Sequence, residues 1–332
     1  MAKQASAALT AIGALALTAA AHGAPYSYVD PAYTAEIYSG PSGSTGLAFL
    51  SNGALVRSDF SSLYISSLTA DTTLHGTNTL HSQTAQSVGG DGLGGYGMSL
   101  GHDGFLYAQS FGGIRKINTT TWSSTTLAGS ASGAYGLKTL PNGNLVYNAN
   151  DGYVHIYNLG TNTDSAIYFS GSFNDDIAVS PDGHIFVAVL GASRLDVINQ
   201  SGTLVNTFSS SHNADGMAYG QGAIFKNNTD GTITRVDFSG PGFVGVGNET
   251  VIASGGGYGD LAAVGPDGSF YVDQDGPIYG DGNQYFEGRT VVRLFLTNGG
   301  GGFGENSVPE PLSLLILATG IGGLGLARLR RR

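Results

Sequence analysis

The chain has 332 residues, 54 of them Gly and none Cys, with 41% hydrophobic and only 11% charged residues. The lack of Cys excludes a disulfide framework, a thiolate metal site and a Cys nucleophile, and the formal charge of −10 opposes capture of nucleic acid or of an anionic membrane surface. With 17 Tyr and 15 Phe the chain can bury a large core, so its glycines belong to turns and not to a disordered polymer.

Residues 1–24 open with Lys3, run through small apolar residues from Ala7 to Ala21 and end on Ala24, which is the order of a secretory signal peptide. Residues 25–298 form the expected body. Within it, a tight-turn Gly between two short apolar strands recurs six times, at Gly53, Gly104, Gly143, Gly183, Gly222 and Gly268. The spacing, about 40 residues, suits four short strands and their turns, the content of one propeller blade. A third strand with charged and apolar positions alternating follows each hairpin, as in Tyr153-Val154-His155-Ile156-Tyr157 and Arg194-Leu195-Asp196-Val197-Ile198. No helical period appears in the body. The sixth repeat lacks an outer strand, whereas Ala35-Glu36-Ile37-Tyr38 precedes the first repeat unused. The expected fold is therefore an all-β, six-bladed β-propeller whose N-terminal strand closes the last blade, leaving no exposed sheet edge inside the ring.

Residues 299–307 read as a Gly-rich linker. Residues 308–332 carry Pro309-Glu310-Pro311, an apolar run from Leu312 to Ala327, and the cluster Arg328, Arg330, Arg331 and Arg332. A single hydrophobic helix is expected there, with the Arg cluster held on the cytoplasmic side. These three parts in this order resemble the PEP-CTERM sorting signal. That resemblance implies export in a Gram-negative, biofilm-forming bacterium, processing by an exosortase, transient anchoring in the inner membrane, and a final place on the cell surface or in the extracellular matrix.

The innermost strand of each blade starts near the central channel, so the residues opening each repeat should ring one mouth of it. The candidates are Tyr96, Tyr135, Asn174, Asp175, Asp176, Asp215 and Asp260. Carboxylates gathered there offer hard oxygen ligands, and Asp175, Asp215 and Asp260 are the candidate metal ligands, with Ca²⁺ as the candidate cofactor. The same Asp residues could instead cap turns and bond neighbouring backbone. His102, His155, His184 and His212 scatter over different blades and read as surface residues, as do His75 and His81 in the longest insertion. The acidic stretch 273–287 reads as a solvated loop.

The repeat resembles the NHL and SMP-30/gluconolactonase-like six-bladed propellers through Asp176-Ile177-Ala178-Val179-Ser180-Pro181-Asp182-Gly183 and Asp215-Gly216-Met217-Ala218. The lactonases of that group hold a divalent cation at the mouth with one Glu, two Asn and one Asp. Asp215 matches the Asp and Asn174 one Asn, while the Glu and second Asn have no counterpart. Two functions follow as expectations. One is an exported binding or structural protein that contacts exopolysaccharide or other matrix components. The alternative is a divalent-cation-dependent lactonase-like or lyase-like enzyme with its site at the channel mouth.

Overall fold

The computed structural model describes residues 26–39, 46–58, 62–66, 95–133, 135–275, 290–298 and Phe303, with the backbone of short strands at 73–75, 78–80, 86–87, 278–280 and 283–286. The expected leader (1–24), the linker apart from Phe303, and the sorting segment with Pro309, Glu310, Pro311 and its four Arg lie outside these residues. No helix among the described residues is long and apolar enough to cross a membrane.

Six antiparallel sheets make the blades. Blade I contains Gly46–Phe49, Leu55–Ser58, Leu63–Ile65 and Gln86–Ser87; blade II contains Met98–Leu100, Leu106–Ser110, Gly113–Ile117 and Ser124–Thr126. Blade III contains Leu137–Thr139, Leu145–Asn148, Tyr153–Asn158 and Thr163–Phe169; blade IV contains Ile177–Val179, Ile185–Val189, Arg194–Ile198 and Leu204–Ser209. Blade V is built on Ala214–Gly220, Ala223–Asn228, Ile233–Phe238 and Gly247–Ser254, and blade VI on Tyr258–Val264, Phe270–Asp275 and Thr290–Leu296. Each innermost strand touches the next around the ring, and that of blade VI touches that of blade I.

The ring closes as the unused N-terminal strand suggested. Tyr33–Ser39 pairs antiparallel with Thr290–Leu296 at the rim of blade VI, with Ile37 opposite Val292. One strand goes beyond expectation: Tyr28–Val29 adds a fifth strand to blade V beside Gly247–Ser254. It carries Tyr26, 3% exposed, into the core between blades V and VI.

Two kinds of glycine make the repeat possible. All six hairpin glycines have positive φ, from 71° at Gly268 to 88° at Gly183, a region that a Cβ makes costly. Asn52, Asp103, Asn142 and Asp267, just before or near these glycines, accept from the backbone N–H two residues on, which tightens the turn. The second kind opens the innermost strands. A Cβ on Gly97 would lie 2.2 Å from the Tyr135 carbonyl oxygen, and one on Gly136 2.4 Å from the Ile177 nitrogen. Neighbouring blades can approach the axis this closely only because no side chain stands there.

Around the mouth, polar side chains of the second strands tie each blade to the next. Ser58 Oγ donates to Gly95 O, Gln109 Nε2 to Asn148 O (2.5 Å), Asn148 Nδ2 to Asp175 O (2.6 Å) and Asn227 Nδ2 to Asp260 O (2.6 Å). Between blades IV and V the link is a carboxylate: Met217 N–H donates to Asp176 Oδ2 (2.7 Å).

One part of the chain read as linker is docked. Phe303 is 0% exposed, stacks on Phe270 (centroids 5.6 Å, 24°) and meets Phe225 edge-on at 4.4 Å. Its N–H donates to Gly268 O (2.9 Å). An aromatic side chain within a run of Gly has nothing local to pack against, so it takes the nearest inter-blade gap.

Candidate active site at the channel mouth

The innermost strands all start at one face, here the upper one, and end at the hairpin glycines on the lower face. The described residues opening them therefore lie toward that face, and they do different things there. Asp215 and Asp260 both sit where the register slips between the first two strands of their blade, between Ala214 and Gly216 and between Gly259 and Ala262. Such bulges re-aim a side chain that regular pairing would direct into the sheet. Asp175 precedes its strand, its N–H on Ala188 O (2.9 Å) and its C=O taking Gly136 N–H (2.9 Å).

The side chains of Asp175 and Asp215 meet. They are hydrogen bonded to each other, and both are nearly buried, each 6% exposed. Two carboxyls can bond in this way only by sharing a proton, because two adjacent anions in a low-dielectric site repel. Burial first, then the charge of Asp215, pushes the Asp175 carboxyl well above the ordinary carboxylate range, so the pair holds on to a proton that an exposed carboxyl would release. Burial and the same two carboxyls also push the neighbouring Tyr135 phenol up.

Above this pair lies an aromatic arc. Tyr96 and Tyr135 stand with ring centroids 5.4 Å apart; Phe173 meets Tyr135 edge-on at 4.7 Å and Phe111 meets Tyr96 at 6.3 Å. Phe111 and Phe173 are 67% and 43% exposed, an unusual state for Phe unless the surface is used. A cavity of about 280 Å³ opens beside Tyr135 and Phe173, lined also by Asn150 and Asn174.

The three-Asp metal centre expected from the sequence is not assembled. Among the described residues no three His, Cys, Asp or Glu side chains are grouped to hold a metal ion. Asp260 Oδ1 is engaged by Leu261 N–H (2.9 Å). Asn174 is turned away: its Oδ1 accepts from Ser170 Oγ (2.6 Å) and its Nδ2 donates to Gly152 O (3.4 Å). Asp176 is fully buried, and both its oxygens accept backbone N–H groups, from Ile177 (2.8 Å) and Met217 (2.7 Å). Among the described residues, the expected carboxylates are thus not gathered into the shared oxygen set that Ca²⁺ takes.

Other readings also change. His155, expected at the surface, is 6% exposed, with Nδ1 2.9 Å from Asp164 and Nε2 3.0 Å from Asp151. Asp164 reaches His155 from the adjacent fourth strand of blade III and Asp151 from the turn before the third. Asp273, read as part of a solvated loop, is fully buried in the second strand of blade VI. Phe111 and Phe173 are not among the sequence candidates because they stand in turns before or after the strands; the signal for them is a large aromatic in each of two nearby loops. The remainder of the acidic stretch and the His75 and His81 side chains lie outside the described residues.

No family model and no curated protein matches this chain. Solved structures do match. An oxidoreductase described as a glucose dehydrogenase from Thermus thermophilus superposes with a TM-score of 0.57 at 13% identity, covering 79% of this chain and 100% of that one. A gluconolactonase from Xanthomonas campestris gives 0.57 at 12% identity, covering 80% and 90%, and the PQQ-bound aldose sugar dehydrogenase from Streptomyces coelicolor gives 0.55 at 12%, covering 80% and 100%. These likenesses bear out the six-bladed propeller. At such identities they carry the fold alone.

Proposed function

We propose that this propeller is enzyme-like, taking a small ring-shaped polar ligand of the sugar or lactone class at its upper mouth and using Asp175 and Asp215 as an acid–base pair. The observation that carries the reading is the buried, proton-sharing Asp175–Asp215 contact beneath the Tyr96, Tyr135, Phe111 and Phe173 arc. Aromatic faces hold the C–H side of a sugar ring, and carboxyls hold its oxygens. For a lactone, Asp215 would accept a proton from water as the water oxygen bonds to the acyl carbon. Asp175 would give its proton to the ring oxygen as the C–O bond breaks, leaving one hydroxy acid and the pair's proton exchanged. The names of the solved neighbours, two sugar dehydrogenases and a gluconolactonase, support this class of ligand. A quinone cofactor bearing carboxylates, as bound by the Streptomyces protein, does not fit a mouth lined by buried Asp residues, and no step is derived through one.

A second reading, a binding module without catalysis, is favoured by the exposed Phe111 and Phe173. Export through the 1–24 leader and exosortase sorting through Pro309-Glu310-Pro311 belong to either version of the proposal and would place the mouth outside the cytoplasm, where exopolysaccharide is available. The test is hydrolysis of δ-gluconolactone by the purified body. Enzyme function predicts a rate above the spontaneous one, lowered about 100-fold or more by Asp215→Asn, with Phe173→Ala raising KM. Sugar or lactone binding that Phe173→Ala abolishes, without any rate, leaves the binding module. Neither binding nor rate refutes both.

A further inference from the structure

The lower half of the channel holds a second feature that the upper mouth does not use. Two residues below the positions that open the innermost strands, the six blades carry Ala48, Ser99, Lys138, Ala178, Ala218 and Ala262. Five of these side chains are small and one is the longest unbranched cation available. Lys138 belongs to blade III and Ala262 to blade VI, which stand opposite each other in a ring of six. Lys138 Nζ nevertheless reaches the Ala262 carbonyl oxygen, at 3.3 Å. The ammonium therefore lies across the channel axis, in space that the five small residues leave open, and it divides the channel into an upper and a lower part.

Below it is a cavity of about 310 Å³ whose wall is contributed by all six innermost strands. Its lower rim carries Phe49, Leu100, Val179, Tyr219 and Val264, and Lys138 is the one Lys, Arg, Asp, Glu or His in its lining among the described residues. Ser99 and Thr139 also line it, but their hydroxyls are occupied: the two bond each other at 2.9 Å, Ser99 Oγ takes Thr139 N–H, and Thr139 Oγ1 reaches Leu100 O. Asp176 Oδ1 forms an ion pair with Lys138 Nζ at 3.7 Å, too long for a hydrogen bond, while Ile177 N–H and Met217 N–H each bond one of its oxygens. An ammonium has three donors. One is used by Ala262, Asp176 uses none at this distance, and the side chain keeps 19% of its surface accessible.

We propose that this lower chamber is a separate binding site for a small aliphatic monocarboxylate, its head on Lys138 and its chain along the apolar rim. The volume takes about ten non-hydrogen atoms at roughly 30 Å³ each, which admits a carboxylic acid of up to about eight carbons. A charge-assisted contact to the carboxylate supplies the recognition, and the apolar residues of the rim supply contact for its chain. The site does not depend on the reading of the upper mouth.

The test is calorimetric titration of the folded chain with hexanoate and with its uncharged analogue hexanamide. Hexanoate should bind, with hexanamide weaker by about tenfold or more, since only the acid pairs with the ammonium. Lys138→Met, which keeps the length of the side chain, should lose about tenfold or more in hexanoate affinity, while Lys138→Arg retains it. A chain-length series on the unaltered protein decides the matter if Lys138→Met fails to fold: affinity should rise from acetate to hexanoate and be lost at dodecanoate, which exceeds the chamber. Equal binding of hexanoate and hexanamide, hexanoate affinity unchanged in Lys138→Met, affinity independent of chain length, or no heat up to about 10 mM hexanoate overturns the proposal.

Discussion

Replacing Phe303 by Ala tests the architecture where it departs most from a reading of the chain as body plus free linker. The ring is fully buried against Phe270, Phe225 and Tyr33, the last at 5.3 Å, and its backbone is held by Gly268 O. Truncating a buried Phe costs about 3–5 kcal/mol when the cavity cannot collapse. Here the loss has a ceiling, because Phe303 can undock while the ring of blades stays folded, and docking must overcome the entropy of ordering the residue itself. The expected net loss is about 2–4 kcal/mol. For a domain of this size that is a fall in Tm of roughly 4–16 °C. Differential scanning calorimetry of wild type, Phe303→Ala, Phe303→Leu and a chain ending at Asn298 provides the measurement. Phe303→Leu should cost less than about 1.5 kcal/mol, and truncation should match the Ala variant. A Phe303→Ala loss below about 0.5 kcal/mol would refute the docking, since surface positions behave that way. The result bears on function. Gly268 and Gly220, both against Phe303, belong to the lower hairpins, so Phe303 docks on the face opposite Asp175 and Asp215.

Two further outcomes follow from the mouth. The folded-state pKa of Asp175 is raised above its unfolded value, so the unfolded chain gives up this proton first and the pair's contribution to stability falls as pH climbs from the ordinary Asp range through the raised value. Asp175→Asn keeps a donor toward Asp215 and removes that fall; urea unfolding at about pH 4.5 and about pH 8 should show the variant gaining on wild type as pH rises, and a pH-independent difference would contradict proton sharing. Asn227→Ala strips the donor from the Asp260 and Asp273 carbonyls and the acceptor from Gln274 Nε2. It should cost about 2–4 kcal/mol, read as a shift in the denaturation midpoint at constant m; no shift would mean that the amide belt does not hold blades V and VI together.

Much of the ring is legible in the chain alone. The six hairpin glycines, the alternating third strands and the spare strand at Ala35 to Tyr38 are local signals, and each occurs where the repeat required it. The mouth is legible only as a set of candidates. Tyr96 and Tyr135 do stand together, and Asp175 does meet Asp215. Asp176, one residue away from Asp175, serves as an inter-blade clamp on Met217 N–H instead, and Asn174 faces Ser170. Adjacent positions in sequence point to opposite sides of a strand, so neighbours in a motif need not share a site.

What the residues determine alone is the local grammar: hairpins where Asn or Asp meets Gly, strands where apolar and polar positions alternate, and a period that makes six blades. Which carboxyls share a proton, that His155 is clamped between Asp151 and Asp164, that Phe303 fills a gap between blades V and VI, and that Lys138 spans the channel to blade VI were decided by the closed ring. Closure brings together side chains that lie far apart along the chain, and the dielectric and packing of that shared interior, absent from any local window of sequence, set their protonation and their partners.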